Sequence, residues 1–490
     1  MERIGLKCSI EQNTEEDREQ ASSEHHFRPG DSHWSPIVTA VGAADMSTAC
    51  TYPRSEYPPV WFQDLWRSST SLDILPSVQR DVAGNIDPYF KSFNKWLPVV
   101  DASSLYRRCD DLPSSQDAEF SILLLTCVLL ARVSQPSRAD DKQQNDGLYM
   151  TISLSLTSLT SKGSLSLEML QAEILLALYE HLDANHVAAA ATIASAAVIA
   201  GNLGLFQWQC QAVPSQRVLV DEEMCRVAWC LYILERMIKC IHYDDNWTPI
   251  SFSCPRPCPS LILSDEDGRP VSMGLDMGLE CTKRGCCPVQ ISASELLDTT
   301  LSFFNRLCQA SFLLELSLDS SLDPSAANMV KIGEMVSNLD KAINMLASSL
   351  LRDRDRGSHM NCSILGICVS AMMILHDRAG KLASLDVLPQ AHSHQIGLTI
   401  ATRMVFDRVN IVPTLQYQYS QVISLWELHC FYFAAEIYLR YDLCGTFGKN
   451  ADIALQTIKR TLERYRTYWK LASQLLSKIS AVPTPLIDRI

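Results

Sequence analysis

Thiolates, imidazoles and paired carboxylates are the side chains in this 490-residue sequence that could hold a metal or move a proton, and their spacing decides which chemistry is open to them. Cys254, Cys258, Cys281, Cys286 and Cys287 gather in a Pro-rich stretch, with three, twenty-two and four residues between the first four. The paired two-residue spacing of a zinc module is absent there, so free thiols in a loop are expected. His392 and His394 flank one Ser and would share one side of a strand, but they stand between Pro389 and a helical stretch, which predicts a solvated turn. Asp110-Asp111, Asp140-Asp141 and Asp244-Asp245 each lack a third carboxylate three residues on, so none forms the aspartate-rich helix that gathers magnesium around a diphosphate. In Gly445-Thr446-Phe447-Gly448-Lys449-Asn450 the glycines are too close for a phosphate loop, and Asn450 stands where Ser or Thr would bind magnesium. With no nucleophile elbow or dinucleotide fingerprint either, no catalytic or cofactor-binding residue is assigned and no enzyme is expected.

Composition narrows the class further. The sequence is 47% hydrophobic and 20% charged, with Leu, Ala and Ser runs and few alternating β-branched residues, which predicts a large, mainly helical core. A net charge of −13 opposes nonspecific attraction to phosphate backbones. Eighteen cysteines scattered through apolar stretches, such as Cys127, Cys230 and Cys368, suit a reducing compartment rather than a disulfide framework. Glu2, Arg3 and Lys7 without an apolar run exclude a secretory signal, and the uncharged stretch 184–216 is too polar for a membrane span.

The elements that would position any site are helices. Residues 11–80 are dense in Ser, Glu, Asp, Pro and His and predict a disordered leader. From Ile86 helical periodicity dominates. The stretch 119–133 is apolar almost all round and predicts a buried helix. Residues 166–181 follow a capping Ser166, and 186–200 end at Gly201-Asn202-Leu203-Gly204-Leu205, so the two predict a helical hairpin. In 221–241 the stripe Val227, Leu231, Leu234, Ile238 and Ile241 predicts one inward face, with Glu222 and Arg226, and Glu235 and Lys239, paired at four-residue spacing. Residues 246–290 read as loop. Helices resume near Ser292, and the stretches 329–351, 362–375, 394–409, 421–440 and 451–475 carry helical periodicity.

Four blocks in this order carry a resemblance: DPYFKSFNKWLPVV at 87–100, LQAEILLALY at 170–179, AAVIAGNLGL at 196–205 and EEMCRVAWCLYILER at 222–236. Together they resemble the fungal-specific transcription factor (middle homology) domain of the fungal binuclear zinc-cluster family. The Tyr89-Phe90 pair before Trp96-Leu97-Pro98 matches its opening, and Glu222, Arg226, Trp229, Tyr232, Glu235 and Arg236 match its acidic, Arg, Trp, Tyr helix. The sequence departs from the family just afterwards, with Asp244-Asp245-Asn246-Trp247-Thr248-Pro249 where a Gly-Arg-Pro turn is usual.

Glu2-Arg3-Ile4-Gly5-Leu6-Lys7-Cys8 also resembles the end of a six-cysteine zinc cluster. Six residues separate Met1 from Cys8, so the fifth ligand's place falls on Met1, and the sequence is expected to begin inside the motif, with Cys8 as the final metal ligand. The organisation expected is thus a cluster remnant at 1–10, a disordered linker at 11–80, an all-α regulatory domain at 86–445, and a C-terminal helix and tail at 446–490. The resemblance implies a nuclear, pathway-specific regulator of RNA polymerase II genes, with zinc as cofactor if the upstream cluster is present. Its partners would be DNA, a second copy of the chain and the transcription machinery, without a membrane. A co-regulator lacking its own DNA contact is the alternative, and an all-helical enzyme such as a terpene synthase a distant one.

Overall fold

The periodicity is realised as helices whose ends are set by local hydrogen bonding. The computed structural model describes residues 81–111, 118–135, 139–206, 222–242, 263–264, 270–271, 303–318, 329–352, 358–383, 391–415, 424–440, 449–466 and 468–481, all within the unit Gln63–Ile490. The leader, Cys8, the five cysteines of the Pro-rich stretch and Asp244-Asp245 lie outside the described residues. In chain order the helices are α1 (Val82–Lys91), α2 (Phe93–Trp96), α3 (Ala102–Asp111), α4 (Ala118–Val133), α5 (Ala139–Ser161), α6 (Leu167–Leu182), α7 (His186–Asn202) and α8 (Glu222–Cys240). They continue with α9 (Phe303–Leu318), α10 (Met329–Arg352), α11 (Ser358–Ala383), α12 (Ala391–Leu415), α13 (Leu425–Arg440), α14 (Lys449–Tyr465) and α15 (Lys470–Ala481). The fold class is all-α. The only strands among the described residues are the two-residue β1 (Leu263–Ser264) and β2 (Pro270–Val271), an antiparallel pair inside a stretch expected to be loop.

Caps explain the helix starts. Asp81 accepts from the Gly84 amide at 2.9 Å, Ser166 from Met169 at 3.2 Å and Asn185 from Ala188 at 3.3 Å, each satisfying a first-turn donor. At α13 a capping box forms: the Trp426 amide donates to Ser424 Oγ at 3.2 Å, while the Ser424 amide donates to Glu427 Oε2 at 3.3 Å. The hairpin between α6 and α7 closes through Asn185 N to Glu180 O at 2.8 Å, with Ala184 in the left-handed region at φ 61°. Helix α7 stops where Gly204 takes φ 76° and Leu205 N reaches Ala200 O at 3.0 Å.

Packing places α4, α6 and α8 at the centre of the first half. Helix α4 is buried at Phe120 and from Ile122 to Ala131, and lies on α1, α5 and α6. Helix α6 also packs on α7, α8 and α15. In the second half α11 is the hub, touching α9, α10, α12 and α13, while α14 packs on α12, α13 and α15. The window 361–382 within α11 is long and apolar enough to cross a membrane, but 83% of it is buried inside the fold, so it is accounted for as core.

Two expectations are corrected. The stretch 451–475 is not one helix: Tyr468 and Trp469 amides both donate to Tyr465 O at 2.9 Å, and the chain turns there. The turn carries Trp469 into the core, with its ring 5.6 Å from Tyr465 and 6.4 Å from Phe93 of α2. His392 and His394 are not in a solvated turn. Both belong to α12, and His394 is buried with its ring 5.8 Å from His376 of α11. Gly397, one turn on, makes the room, because a Cβ there would lie 2.3 Å from His376 Nε2.

The approach of α11 to α13 also rests on a glycine. A Cβ on Gly366 would sit 3.2 Å from the Trp426 backbone carbon and oxygen, atoms fixed in a buried helix. Gly366→Ala is expected to destabilise the protein by about 1–3 kcal/mol as overpacking, read as a lower urea midpoint at unchanged slope. An unchanged or higher midpoint would show that the two helices can part without cost.

Candidate regulatory site

Helix α8 carries charged residues where its stripe predicted an outer face, yet it is buried nearly all round. Trp229, Cys230, Leu231, Tyr232, Ile233 and Leu234 are fully buried, and so are Glu235 and Arg236. The Arg236 guanidinium pairs with Glu235 Oε2, donates to Glu315 Oε1 of α9 at 2.6 Å, and lies 4.0 Å from the Tyr232 ring centroid. Tyr232 donates its hydroxyl to the other oxygen of Glu315, and Lys239 bridges Glu235 at 2.6 Å. Burial works to strip the proton from Arg236, but Tyr232, Glu235 and Glu315 outweigh it and hold the charge more firmly than usual. The four-residue Glu235 and Lys239 pair seen in the sequence therefore exists, but as one edge of a buried network joining α8 to α9.

The opening block is equally structural. Tyr89 is buried and donates to Asn94 Oδ1 at 2.9 Å; Asn94 in turn donates to Val100 O at 3.1 Å and accepts from the Val100 amide at 3.3 Å. Gln171 of α6 ties this corner down, donating to Val99 O at 3.0 Å and to Glu223 of α8 at 2.9 Å. Asp87 accepts from Tyr106 at 2.6 Å, and that bond, then Lys91, holds its carboxyl below the usual range.

A third constellation was not legible in the sequence. His181 on the last turn of α6, His186 on the first turn of α7, His242 just past α8 and His429 within α13 form a chain of rings. Centroids are 5.4 Å apart for His181 and His186, 5.2 Å for His181 and His429, and 4.9 Å for His186 and His242. His181 Nε2 and His429 Nε2 are 3.3 Å apart, and His186 Nε2 meets Gln474 Oε1 of α15 at 2.6 Å. Burial, then the neighbouring imidazoles, pushes His181 well below its ordinary value and His429 down to about 3. His181 and His186 flanking Asp183-Ala184-Asn185 were the only local signal; His429 is 248 residues from His181. Among the described residues no three His, Cys, Asp or Glu side chains converge to hold a metal ion.

Between α11, α12 and α13 lies a half-open cleft lined by Cys362, Gly366, Met404, Arg408, Glu427 and Phe431, among others. Arg408 donates to Glu427 Oε1 at 3.1 and 3.0 Å and to Cys362 Sγ at 2.8 Å. Its interior is about 30 Å³, room for about two waters, an order of magnitude below the ~300 Å³ that a small-molecule site begins at. In this arrangement it is a seam between helices. The core thiols offer no reactivity either: burial pushes Cys127, Cys230, Cys240, Cys308, Cys368 and Cys430 upward, Cys368 to about 12. What the site does chemically is hold helices in register through buried charge and hydrogen bonds.

The comparisons align with this geometry. Residues 86–250 match the model of the fungal specific transcription factor domain. That segment is similar to the domain. Its matched segment begins at the buried Ile86, includes the Tyr89 and Asn94 corner, and contains all of α8 with Arg236. The chain is also 31% identical over 105 residues to transcription factor BOA15 of Botryotinia fuckeliana (strain B05.10), covering 21% of this chain and 56% of that protein. The chain thus spans about half the length of the curated relative it matches. No solved structure matches. The domain resemblance seen at 87–236 falls within the matched segment. Cys8, assigned as a metal ligand, lies outside both the matched segment and the described residues.

Arg236→Ala removes the cation that Glu235 and Glu315 share. Breaking a buried pair from one side costs about 3–5 kcal/mol, so chemical denaturation should show the midpoint falling accordingly. A loss below about 1 kcal/mol, the range of exposed pairs, would show that the network does not join α8 to α9.

Proposed function

We propose that the protein is a fungal regulator of RNA polymerase II transcription, pathway-specific and nuclear, in which the helical body is the regulatory part. The observation that carries this reading is the domain match at 86–250, whose buried polar residues the fold uses to join α8 to α9. The relative named a transcription factor supports it. The reading has no enzymatic step.

DNA contact, in this reading, comes from a binuclear zinc cluster whose last ligand is Cys8. Such a cluster supplies a rigid module that seats a short helix in the major groove, with basic residues on phosphate and a dimer element setting half-site spacing. Two zinc ions need six thiolates, and Cys8 supplies one, so the residues present do not by themselves fit the group and no DNA step is derived through it. The net charge of −13 favours a second reading, a co-regulator that borrows its DNA contact from a protein partner.

Mapping the 5′ end of the native transcript separates the two. The zinc-cluster reading expects the frame upstream of Met1 to encode the remaining cysteines among Lys and Arg, ending in register with Cys8. An in-frame stop directly before Met1 would overturn it and leave the co-regulator.

A further inference from the structure

The four-histidine cluster joins segments far apart in the chain: the α6 and α7 hairpin, the end of α8, α13, and through Gln474, α15. We propose that this cluster is a proton-sensitive latch, which ties the hairpin of the fungal domain to α13 and α15 while its imidazoles are neutral and releases that contact on acidification.

Geometry carries the argument. In the His181 and His429 pair one Nε2 donates and the other accepts, both rings being fully buried. One added proton preserves that bond but places a charge in the core; a second proton destroys it. The titratable groups acting on the pair among the described residues are His186 and His242, and His186 in turn faces Lys478, so none of them offers a negative charge to the pair. Carboxylates on the enclosing helices are engaged elsewhere. Glu180 accepts from Tyr149 at 2.9 Å, Asp183 is bridged by Lys470 at 2.5 Å, and Glu427 holds Arg408 at 3.0 Å. On α8, Lys239 and Arg236 are held by Glu235. Among the described residues no carboxylate acts on either ring of the His181 and His429 pair, and burying a charge there unpaired is prohibitive.

Protons therefore enter through an open state, where the rings regain an ordinary value of about 6.5. Because the closed-state values lie below that, the latch contributes in full above about pH 6.5 and weakens as pH falls toward the closed-state values, about 3 for His429. Two fully depressed groups raise the opening constant about 100-fold per pH unit in that window. Glu173, pushed up to about 7 by burial, titrates there with the opposite sign, and Glu180 is raised as well, so the informative quantity is a difference between wild type and a variant.

The test is amide hydrogen exchange on the full chain at several pH values from 7 to 5, corrected for intrinsic rates, with His181→Gln/His429→Gln as the variant, since two glutamines bond without titrating. In wild type, protection in the hairpin, α13 and α15 should fall by about 10- to 100-fold per pH unit, and the variant should lose that dependence. Equal pH dependence in both, or loss beginning in α1 to α5, would overturn the latch. If the variant fails to fold, ring titration of wild-type His181 and His429 by NMR decides. Both should stay neutral in the folded protein down to pH 5, and titration near their ordinary value would overturn the proposal.

Discussion

A guanidinium held inside an apolar core is the constraint on which the rest of this structure turns. Arg236 is 3% exposed, and a charge at that depth is tolerable only if its partners are fixed in place. Glu235 comes from the same helix, Tyr232 from one turn before, and Glu315 from α9, which lies beyond the segment matched by the domain model. The polar residues of α8 are therefore satisfied by a residue outside the matched segment. A buried network of this kind adds little net stability compared with apolar packing, but it penalises any arrangement in which α9 is displaced, and that penalty specifies one docking of α8.

The same interdependence recurs at other junctions. Phe93 of the opening block meets Trp469 at the turn between α14 and α15, His181 meets His429, and α6 packs on α15. The exposed bridge from Asp183 to Lys470 decorates the last of these and is worth little by itself, since both side chains are substantially solvated. Apolar burial around it does the holding. The segment matched by the domain model is thus one part of a core that continues through α9 to α15, which suits a body whose proposed task is to transmit a state rather than to turn over a substrate.

Much of the first half was legible in the sequence because its signals are local. Ser166 caps α6 as its type and position predict, Gly204 takes the left-handed conformation that ends α7, and the unbroken apolar run of α4 lies buried on all sides. Periodicity misled where long-range partners decide. The stripe on α8 implied an outer face, but Glu315, 79 residues from Arg236, turns that face inward. Nothing in 451–475 announces that the chain must turn to bury Trp469. His394 was assigned to a solvated turn from its neighbours in sequence, whereas Gly397 and His376 make a buried place for it. The histidine cluster is invisible for the same reason, its members lying on four elements. Cys8, the candidate ligand, was recognised by resemblance alone.

The central claim is that the segment 86–250 cannot complete its core without the helices that follow it. Producing residues 81–250 alone and heating them under calorimetry tests this directly. The account predicts no cooperative transition, because the segment would expose the faces of α6 and α8 that α9, α13 and α15 cover and would lose Glu315 from Arg236. A sharp, two-state transition with the near-UV signature of fixed Trp and Tyr side chains would contradict it.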